Sequence, residues 1–244
     1  MTEPEGVGLF QGLELRVRAG LRPAQIFNAT LVETGDRFTM GTVDLPALAI
    51  GGREPRDVSF YGLYRGLDLA PVTAARVSAT FPYVTPVSRP ENVQVESSYH
   101  MADGGYYDNF GIVSATLFLT EALRTSPRKR ALLIQIDDGL PTEDDRTSSQ
   151  RGWFFQTFAP LNTLLKVRDR SQRARNDLDV KLLEEILHAR GVALTVARFS
   201  YPGPDAPLSW HLTQDEKSKL DLAWKQSLAK PETKKVITFL QELN

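Results

Sequence analysis

Alternating apolar and polar residues in the N-terminal part of the chain predict β-strands. The stretch LELRVRA (Leu13–Ala19) alternates as a half-buried strand does. The stretch AQIFNATLVETGDRFTM (residues 24–40) contains two further apolar segments, separated by Thr34, Gly35 and Asp36. Because a glycine beside an aspartate is typical of tight turns, we expect these two segments to pair as a β-hairpin.

The next part of the chain predicts a loop and then a helix. Residues 43–67 are rich in glycine, proline and aspartate, which is typical of loops. A helix is predicted from Asp68 to Phe81, with Asp68 as its N-cap and Pro71 in its first turn. Pro82 should end this helix, because proline cannot continue one.

The second half of the chain alternates apolar strand patterns with helical patterns. The stretches ALLIQID (Ala131–Asp137) and VALTVARF (Val192–Phe199) have the continuous apolar character of strands that are buried on both faces. Strands separated by helices predict a mostly parallel sheet with helices on its faces. We therefore expect an α/β fold, in which residues 1–244 form a single domain or, alternatively, two small ones.

Prolines and capping residues mark the helices of this half. Pro160 predicts the start of a long helix that runs to about His188 and has a polar middle, RDRSQRARND. Thr213 and Glu216 have the spacing of a capping box before a further helix. Pro231 is expected near the start of the last helix.

Composition excludes several classes of protein and site. The chain has 29 Lys and Arg against 30 Asp and Glu, so its near-zero net charge argues against a basic nucleic-acid-binding protein. It has no cysteine, which excludes disulfides, thiolate nucleophiles and cysteine-based zinc sites. The sequence shows neither a secretion signal pattern nor an apolar run of the roughly 18 residues that cross a bilayer. We therefore expect a cytoplasmic or peripheral membrane location.

The segment HMADGGYYDNFG (His100–Gly111) carries the strongest candidate chemistry. The stretches VQVES (residues 93–97) and SYHMAD predict short strands, and Asp103 ends the second of them. Gly104 and Gly105 would allow a positive φ and a close approach to another group. Asp103 could then orient or deprotonate a nucleophile, or bind a cation. The alternative is a tight turn in which Asp103 only binds its own backbone.

Other polar residues predict structural roles. Asp108 and Asn109 are candidate caps of a helix that runs from about Phe110 to Leu123. His100 lies three residues before Asp103 on a predicted strand, so their side chains should point to opposite faces. The arginines of RDRSQRARND could meet anionic lipid head groups, but the nearby aspartates favour a solvated helix face.

The acidic pair Asp137 and Asp138 ends a predicted strand, where sites often occur. Metal binding there is the less favoured interpretation, because no histidine or third carboxylate lies at ligand spacing. A solvated start of a loop is the favoured one.

Four segments of the chain resemble patatin-like lipid acyl hydrolases. HMADGGYYDNFG resembles the Asp-Gly-Gly/Ala segment of that family. PAQIFNATLVETGDRFTM resembles its strand that ends in Asn-Ala-Thr before a Thr-Gly turn, and LAPVTAARVSATFPYVTPV resembles its Ala-Ser-Ala-x-x-Pro-x-x-x-Pro helix and loop. LSWHLTQDEKSKLDLAW resembles the C-terminal part of many bacterial members. The order and spacing agree over about residues 22–225.

The resemblance implies a fold, a reaction and a set of partners. The fold would be a three-layer α/β/α sandwich around a mostly parallel central sheet. Asp103 would be the carboxylate of a Ser-Asp dyad that hydrolyses acyl esters, and Gly104 and Gly105 would shape the active-site turn. The substrate would be a lipid or another acyl ester, with contact to a membrane surface. Neither a nucleic acid, a cofactor nor a required metal is implied.

The family's nucleophile motif, Gly-x-Ser-x-Gly, does not occur in the 244 residues. The similar windows GLFQG (Gly8–Gly12) and GLYRG (Gly62–Gly66) have Phe10 and Tyr64 at their centres. The family's glycine-rich oxyanion loop is also missing, since IGGREP follows the Asn-Ala-Thr strand instead of preceding it.

We therefore expect the chain to be an N-terminally incomplete, C-terminal portion of the catalytic domain. Such a portion should be inactive by itself and could associate with the missing N-terminal part. The alternative is a non-catalytic binding or scaffold module that keeps this part of the fold.

Overall fold

A computed structural model describes residues 9–45, 58–80, 86–91, 99–124, 126–137, 153–201 and 211–242. The predicted strand VQVES, Pro82 and Asp138 lie outside these residues. In chain order the helices and strands are α1 (Phe10–Arg18), β1 (Ile26–Leu31), β2 (Arg37–Gly41), β3 (Val58–Ser59), α2 (Phe60–Leu63), α3 (Pro71–Ser78), β4 (Met101–Asp103), α4 (Gly105–Asp108), α5 (Ile112–Ala122), β5 (Arg130–Asp137), α6 (Trp153–Ala189), β6 (Ala193–Ser200), α7 (Gln214–Leu228) and α8 (Pro231–Gln241).

The chain divides into two compact units. The first unit comprises Met1–Thr125 and Arg168–Val180, and the second comprises Ser126–Val167 and Lys181–Asn244. The middle of α6 therefore belongs to the first unit, whereas both of its ends belong to the second.

The first unit contains a four-stranded sheet in the order β3-β2-β1-β4. Strands β1 and β2 pair antiparallel, with Ile26 opposite Gly41, so the predicted hairpin is confirmed. Gly35 adopts a φ of 71° in its turn, a conformation that glycine reaches without steric cost. Strand β4 pairs antiparallel with β1, and β3 pairs parallel with β2.

The core of the first unit lies against the central strands of this sheet. Its largest fully buried apolar side chains come from α1 and from both arms of the hairpin: Phe10, Leu31, Phe38 and Met40. Removing such side chains from water is the main favourable term in folding. The hairpin therefore supplies both the pairing and much of the apolar surface of this unit.

The predicted strand at Leu13–Ala19 is wrong, because these residues continue helix α1. Phe10 and Leu13 are buried at helical spacing, whereas Leu15 is 70% exposed, although a strand would place it on the same face as Leu13. The backbone N–H of Gln11 also donates to the Asp68 carboxylate at 3.2 Å, which satisfies one of the free donors at the start of the helix.

Three further predictions around the loops and helix starts need correction. Ala70, not Asp68, is the N-cap of α3, and Pro71 is its first residue. Within the predicted loop, β3 pairs with β2, and Ser59 caps α2 because its Oγ accepts the N–H of Gly62 at 3.1 Å. Helix α6 begins at Trp153, so Pro160 lies inside it and removes one backbone hydrogen bond.

The second unit contains the parallel pair predicted from the apolar stretches. Strands β5 and β6 run in register from Arg130 opposite Ala193 to Asp137 opposite Ser200. The expected burial of β5 on both faces is wrong. Ile134 and Ile136, which share one face, are 46% and 77% exposed.

The predicted starts of the last two helices are confirmed. The Thr213 side chain accepts the N–H of Glu216, and the Glu216 carboxylate accepts the N–H of Thr213, which completes the capping box of α7. Pro231 is the first residue of α8.

The fold is mixed α/β, as the strand and helix patterns predict. Its described strands pair in both senses: β2–β3 and β5–β6 are parallel, and β1–β2 and β1–β4 are antiparallel. Among the helices that the structure describes, none combines the length and the apolar character needed to cross a membrane.

Burial along α6 predicts a contrast between two neighbouring leucines. Leu183 is 1% exposed and Leu182 is 45% exposed. Leu183→Ala should lower the free energy of unfolding by about 3 kcal/mol, because it opens a cavity. Leu182→Ala should lower it by less than about 1 kcal/mol. Urea denaturation followed by circular dichroism measures both, and equal losses would contradict the unequal burial of these two side chains.

Candidate functional site

Asp103 lies where β4 ends and the chain turns into α4. Its Oδ1 accepts the backbone N–H of Gly105 at 2.6 Å, which is the backbone-binding turn that the sequence offered as the alternative. Its Oδ2 accepts no hydrogen bond from any other residue that the structure describes. One carboxylate oxygen is thus fixed by the turn, and within the described residues the other has no donor bound to it.

The two glycines after Asp103 are required by crowding, not by backbone angle. Gly104 has a φ of −62°, and neither it nor Gly105 is among the glycines with positive φ, so the predicted positive φ is wrong. The predicted close approach to another group is confirmed. A Cβ at position 104 would overlap the backbone oxygen of Asn28. A Cβ at position 105 would lie 2.7 Å from Asp103 Oδ1 and 2.6 Å from Asn109 Oδ1.

Hydrogen bonds from two other elements hold this turn. The Thr30 hydroxyl in β1 donates to the Asp103 carbonyl at 3.0 Å. The N–H of Gly104 donates to the carbonyl of Ser78, the last residue of α3, at 3.0 Å. The structure therefore brings the Asn-Ala-Thr strand, the end of α3 and the Asp-Gly-Gly segment together around Asp103.

A buried polar network lies beside the turn. Asp108 is 4% exposed, and its Oδ2 accepts the N–H of Ser114 at 3.2 Å and the Asn28 side-chain amide at 3.4 Å. The Ser114 hydroxyl donates to Asn28 Oδ1 at 2.6 Å and accepts from Arg37 Nη1 at 2.8 Å. These contacts reduce the cost of burying polar groups, although Asp108 Oδ1 accepts no hydrogen bond from the residues that the structure describes.

The N-cap of α5 is Gly111, so the prediction that Asp108 or Asn109 holds this position is wrong. Asp108 accepts a donor from the first turn of α5, while Asn109 is the C-cap of α4. Burial raises the pKa of Asp108, although the N–H of Ser114 and the charge of Arg37 oppose this shift.

The polar middle of α6 contributes a residue that the sequence interpretation missed. Gln172 is 5% exposed, and its Nε2 donates to the carbonyls of Gly105 at 3.2 Å and Tyr106 at 3.0 Å. Its Oε1 accepts the N–H of Asn109 at 3.1 Å. The interpretation of RDRSQRARND as a solvated face is therefore wrong for this side of the helix.

Two arginines of the same helix stack on aromatic rings of the segment that follows Asp103. The Arg168 guanidinium lies 4.6 Å from the centroid of the Tyr106 ring. The Arg173 guanidinium lies 4.6 Å from the centroid of the Phe110 ring. The sequence contained one signal that this face of α6 is buried. Gln172 and Asn176 are uncharged, and together with Val180 they follow the four-residue spacing of one helix face.

The environment of Asp103 favours its protonated form. Burial raises the pKa of the Asp103 carboxyl, while the Gly105 N–H and the positive charge of Arg168 oppose the shift. A carboxyl with a raised pKa accepts protons closer to neutral pH than an exposed aspartate does. That property suits a general base.

The other predicted candidates lie apart from this chemistry. His100 binds Glu33 through its backbone N–H at 3.1 Å and through Nδ1 at 2.6 Å, and the hydrogen bond from His100 is the main reason that the pKa of Glu33 is lowered. Asp137 ends β5 as predicted. In the described parts of the chain, no three His, Cys, Asp or Glu side chains cluster as metal ligands do.

Comparisons of the chain with protein-family models, with curated proteins and with solved structures returned no match.

The crowding at position 104 predicts a large effect of one methyl group. Gly104→Ala should lower the free energy of unfolding by about 3 kcal/mol, because the new Cβ must displace the β1 backbone. Gly62→Ala is the matched control, since its Cβ would lie 3.2 Å from the movable Ser59 hydroxyl. It should change stability by about 1 kcal/mol or less. A small loss for Gly104→Ala in chemical denaturation would contradict the close approach of the turn to β1.

The charges around Asp103 predict the direction of its titration. Burial raises the pKa of Asp103 above its ordinary value of 3.8, and the Gly105 N–H and the charge of Arg168 lower it again in part. Because Arg168→Gln removes one of these lowering effects, it should raise the pKa of Asp103 further. Arg170→Gln, at an exposed position of the same helix, should leave it unchanged. Carbon-13 NMR of the Asp103 carboxyl measures both, and a lowered or unaltered midpoint in Arg168→Gln would refute this role.

The free energy of unfolding should depend on pH through the Asp103 carboxyl. Because this carboxyl binds its proton more tightly in the folded chain than in the unfolded chain, its stabilising contribution is fully present below pH 3.8. That contribution is lost as the pH rises through the raised pKa of the folded state.

Proposed function

We propose that the chain is the Asp-bearing portion of a patatin-like serine lipid acyl hydrolase. Asp103 would be the carboxylate of a Ser-Asp dyad that cleaves acyl esters of phospholipids or other lipids with water. The observation that carries this proposal is the state of the Asp103 carboxylate. One of its oxygens is held by the Gly105 N–H, and the other is unpaired among the described residues.

The convergence of three segments supports this proposal. The resemblance rests on separate stretches around Asn28, Ser78 and Asp103, which lie far apart in the sequence. Backbone and hydroxyl contacts from β1 and α3 both end on Asp103 or Gly104. The meeting of these segments at the predicted carboxylate is what a shared site would require.

The chemistry assigns a separate role to each carboxylate oxygen. Oδ2 would accept the proton of a serine hydroxyl as that oxygen attacks the carbonyl carbon of the ester. Oδ1, bound to Gly105, would keep the carboxylate in one rotamer during the transfer. The raised pKa makes the carboxylate a stronger base for this step.

The serine and the oxyanion donors would come from outside the 244 residues, which contain no Gly-x-Ser-x-Gly. In the finer version of this proposal, the chain is part of a three-layer α/β/α sandwich. The parallel pairing of β5 with β6 supports this version, because such sandwiches are built on mostly parallel sheets.

The test uses the full product of the gene that encodes the chain. It should hydrolyse a short-chain nitrophenyl ester, and a fluorophosphonate probe should label one serine. Asp103→Asn should lower kcat by about 10⁴-fold, because the hydroxyl loses its base. Asp44→Asn, at an exposed position outside the turn, is the matched control and should keep full activity.

The possible outcomes separate the proposals. The 244-residue chain alone should show only background hydrolysis, because it has no nucleophile motif. Turnover that persists in Asp103→Asn would remove this residue from the mechanism. A full gene product that neither hydrolyses the ester nor reacts with the probe would favour a non-catalytic binding or scaffold module instead.

A further inference from the structure

Helix α4 is only four residues long, and its end depends on a side chain from another helix. Its residues run from Gly105 to Asp108. In a longer helix the N–H of Asn109 would bind the carbonyl of Gly105. Here that N–H donates instead to Oε1 of Gln172, and Nε2 of Gln172 donates to the carbonyl of Gly105. The glutamine amide therefore takes both hydrogen-bonding roles of the missing backbone pair.

The same amide also binds the carbonyl of Tyr106, so it satisfies three backbone groups at once. Its orientation is fixed by this pattern. If the amide were flipped, its oxygen would face two carbonyl oxygens and its NH₂ group would face the N–H of Asn109. None of the three hydrogen bonds could then form. Because Gln172 is buried, water is poorly placed to replace it, and removing the amide would leave these backbone groups unpaired.

Gly105 connects this contact to the candidate dyad carboxylate. Its N–H donates to Asp103 Oδ1 at 2.6 Å, and its carbonyl accepts from Gln172. The two peptide groups that flank the Gly105 Cα are thus both held, one by the carboxylate and the other by α6. Since glycine has the most backbone freedom of any residue, an unheld Gly105 would let its N–H turn away from Asp103.

We propose that Gln172 is a positioning residue for Asp103, which acts by holding the Gly105 N–H against the carboxylate. Its meaning for catalysis rests on the proposed hydrolase function, but the contact itself does not. Arg168, one turn before Gln172 on α6, stacks on Tyr106. Arg173, directly after Gln172, stacks on Phe110. These contacts fix the helix that carries the amide.

The experiment reads the Gly105 amide proton of the 244-residue chain by NMR. A hydrogen bond this short to a carboxylate should move the proton downfield, and its shift should follow the titration of Asp103 with a large amplitude. In Gln172→Met, which keeps the length of the side chain but not the amide, the amplitude should fall by at least about half. Hydrogen exchange of the same amide should accelerate by about 10-fold or more.

Asn176→Ala is the matched control. Asn176 is also a buried amide, one turn further along the same face of α6, and it makes no hydrogen bond to the described residues of α4. This variant should keep the full amplitude at Gly105. An equal loss in both variants would show that only the packing of α6 matters, and an unchanged amplitude in Gln172→Met would overturn the proposal.

A second variant and a wild-type measurement secure the test against loss of folding. Gln172→Glu keeps an acceptor for the N–H of Asn109, and once its carboxyl is ionised it cannot donate to Gly105 and Tyr106. Above the titration of that carboxyl it should behave like Gln172→Met. In the unaltered chain the Gln172 side-chain amide protons should exchange more slowly than those of other glutamines. Fast exchange there refutes the contact without any variant.

These readouts are independent of ester hydrolysis. If Asp103→Asn leaves turnover intact while Gln172→Met loosens Gly105, the hydrolase proposal fails and the positioning contact stands. If Asp103→Asn abolishes turnover while Gln172→Met leaves the Gly105 proton unchanged, the reverse holds. In an active product, Gln172→Met should reduce kcat with little change in KM, because it disturbs the base and not substrate binding.

Discussion

The close approach of the Gly104 backbone to strand β1 is the constraint on which the candidate site depends. With no space for a Cβ against the Asn28 carbonyl, β4 can pair with β1 up to Asp103 and then turn at once. That turn places Gly105 N–H against Asp103 Oδ1, while Oδ2 accepts no hydrogen bond from the described part of the chain. A chain displaced by the width of one methyl group could not make both contacts, so the position of the carboxylate is set by backbone packing.

Around this turn the protein uses polar groups where an ordinary core would use apolar ones. Arg37, Asn28, Asp108 and Ser114 form a continuous buried network, and Gln172 completes α4 from another part of the chain. Buried polar contacts of this kind contribute little net stability, but each unpaired member would be costly. They therefore select one arrangement of the turn over its alternatives, which is what a precisely aimed carboxylate requires.

The elements that could be predicted from sequence are those with strong local signals. The hairpin, the parallel pair and the capping box of α7 follow from turn glycines, apolar runs and capping spacing. The strand predicted at Leu13–Ala19 failed because its alternation over a few residues also fits a helix whose buried face begins at Phe10. The spacing of Gln172 indicated a buried helix face, but its partners could not be assigned from sequence. They lie more than 60 positions away and are backbone atoms, which leave no trace in side-chain identity.

Crowding at the turn also has a genetic consequence. Every single-base change in a glycine codon that alters the amino acid adds at least a β-carbon. Any missense change at position 104 therefore brings a Cβ into overlap with the Asn28 carbonyl oxygen. Gly20, Gly35 and Gly191 have open space around the same atom, and only their backbone angles resist replacement. The codons for these glycines are alike, yet position 104 has no substitution open to it that leaves β1 in place.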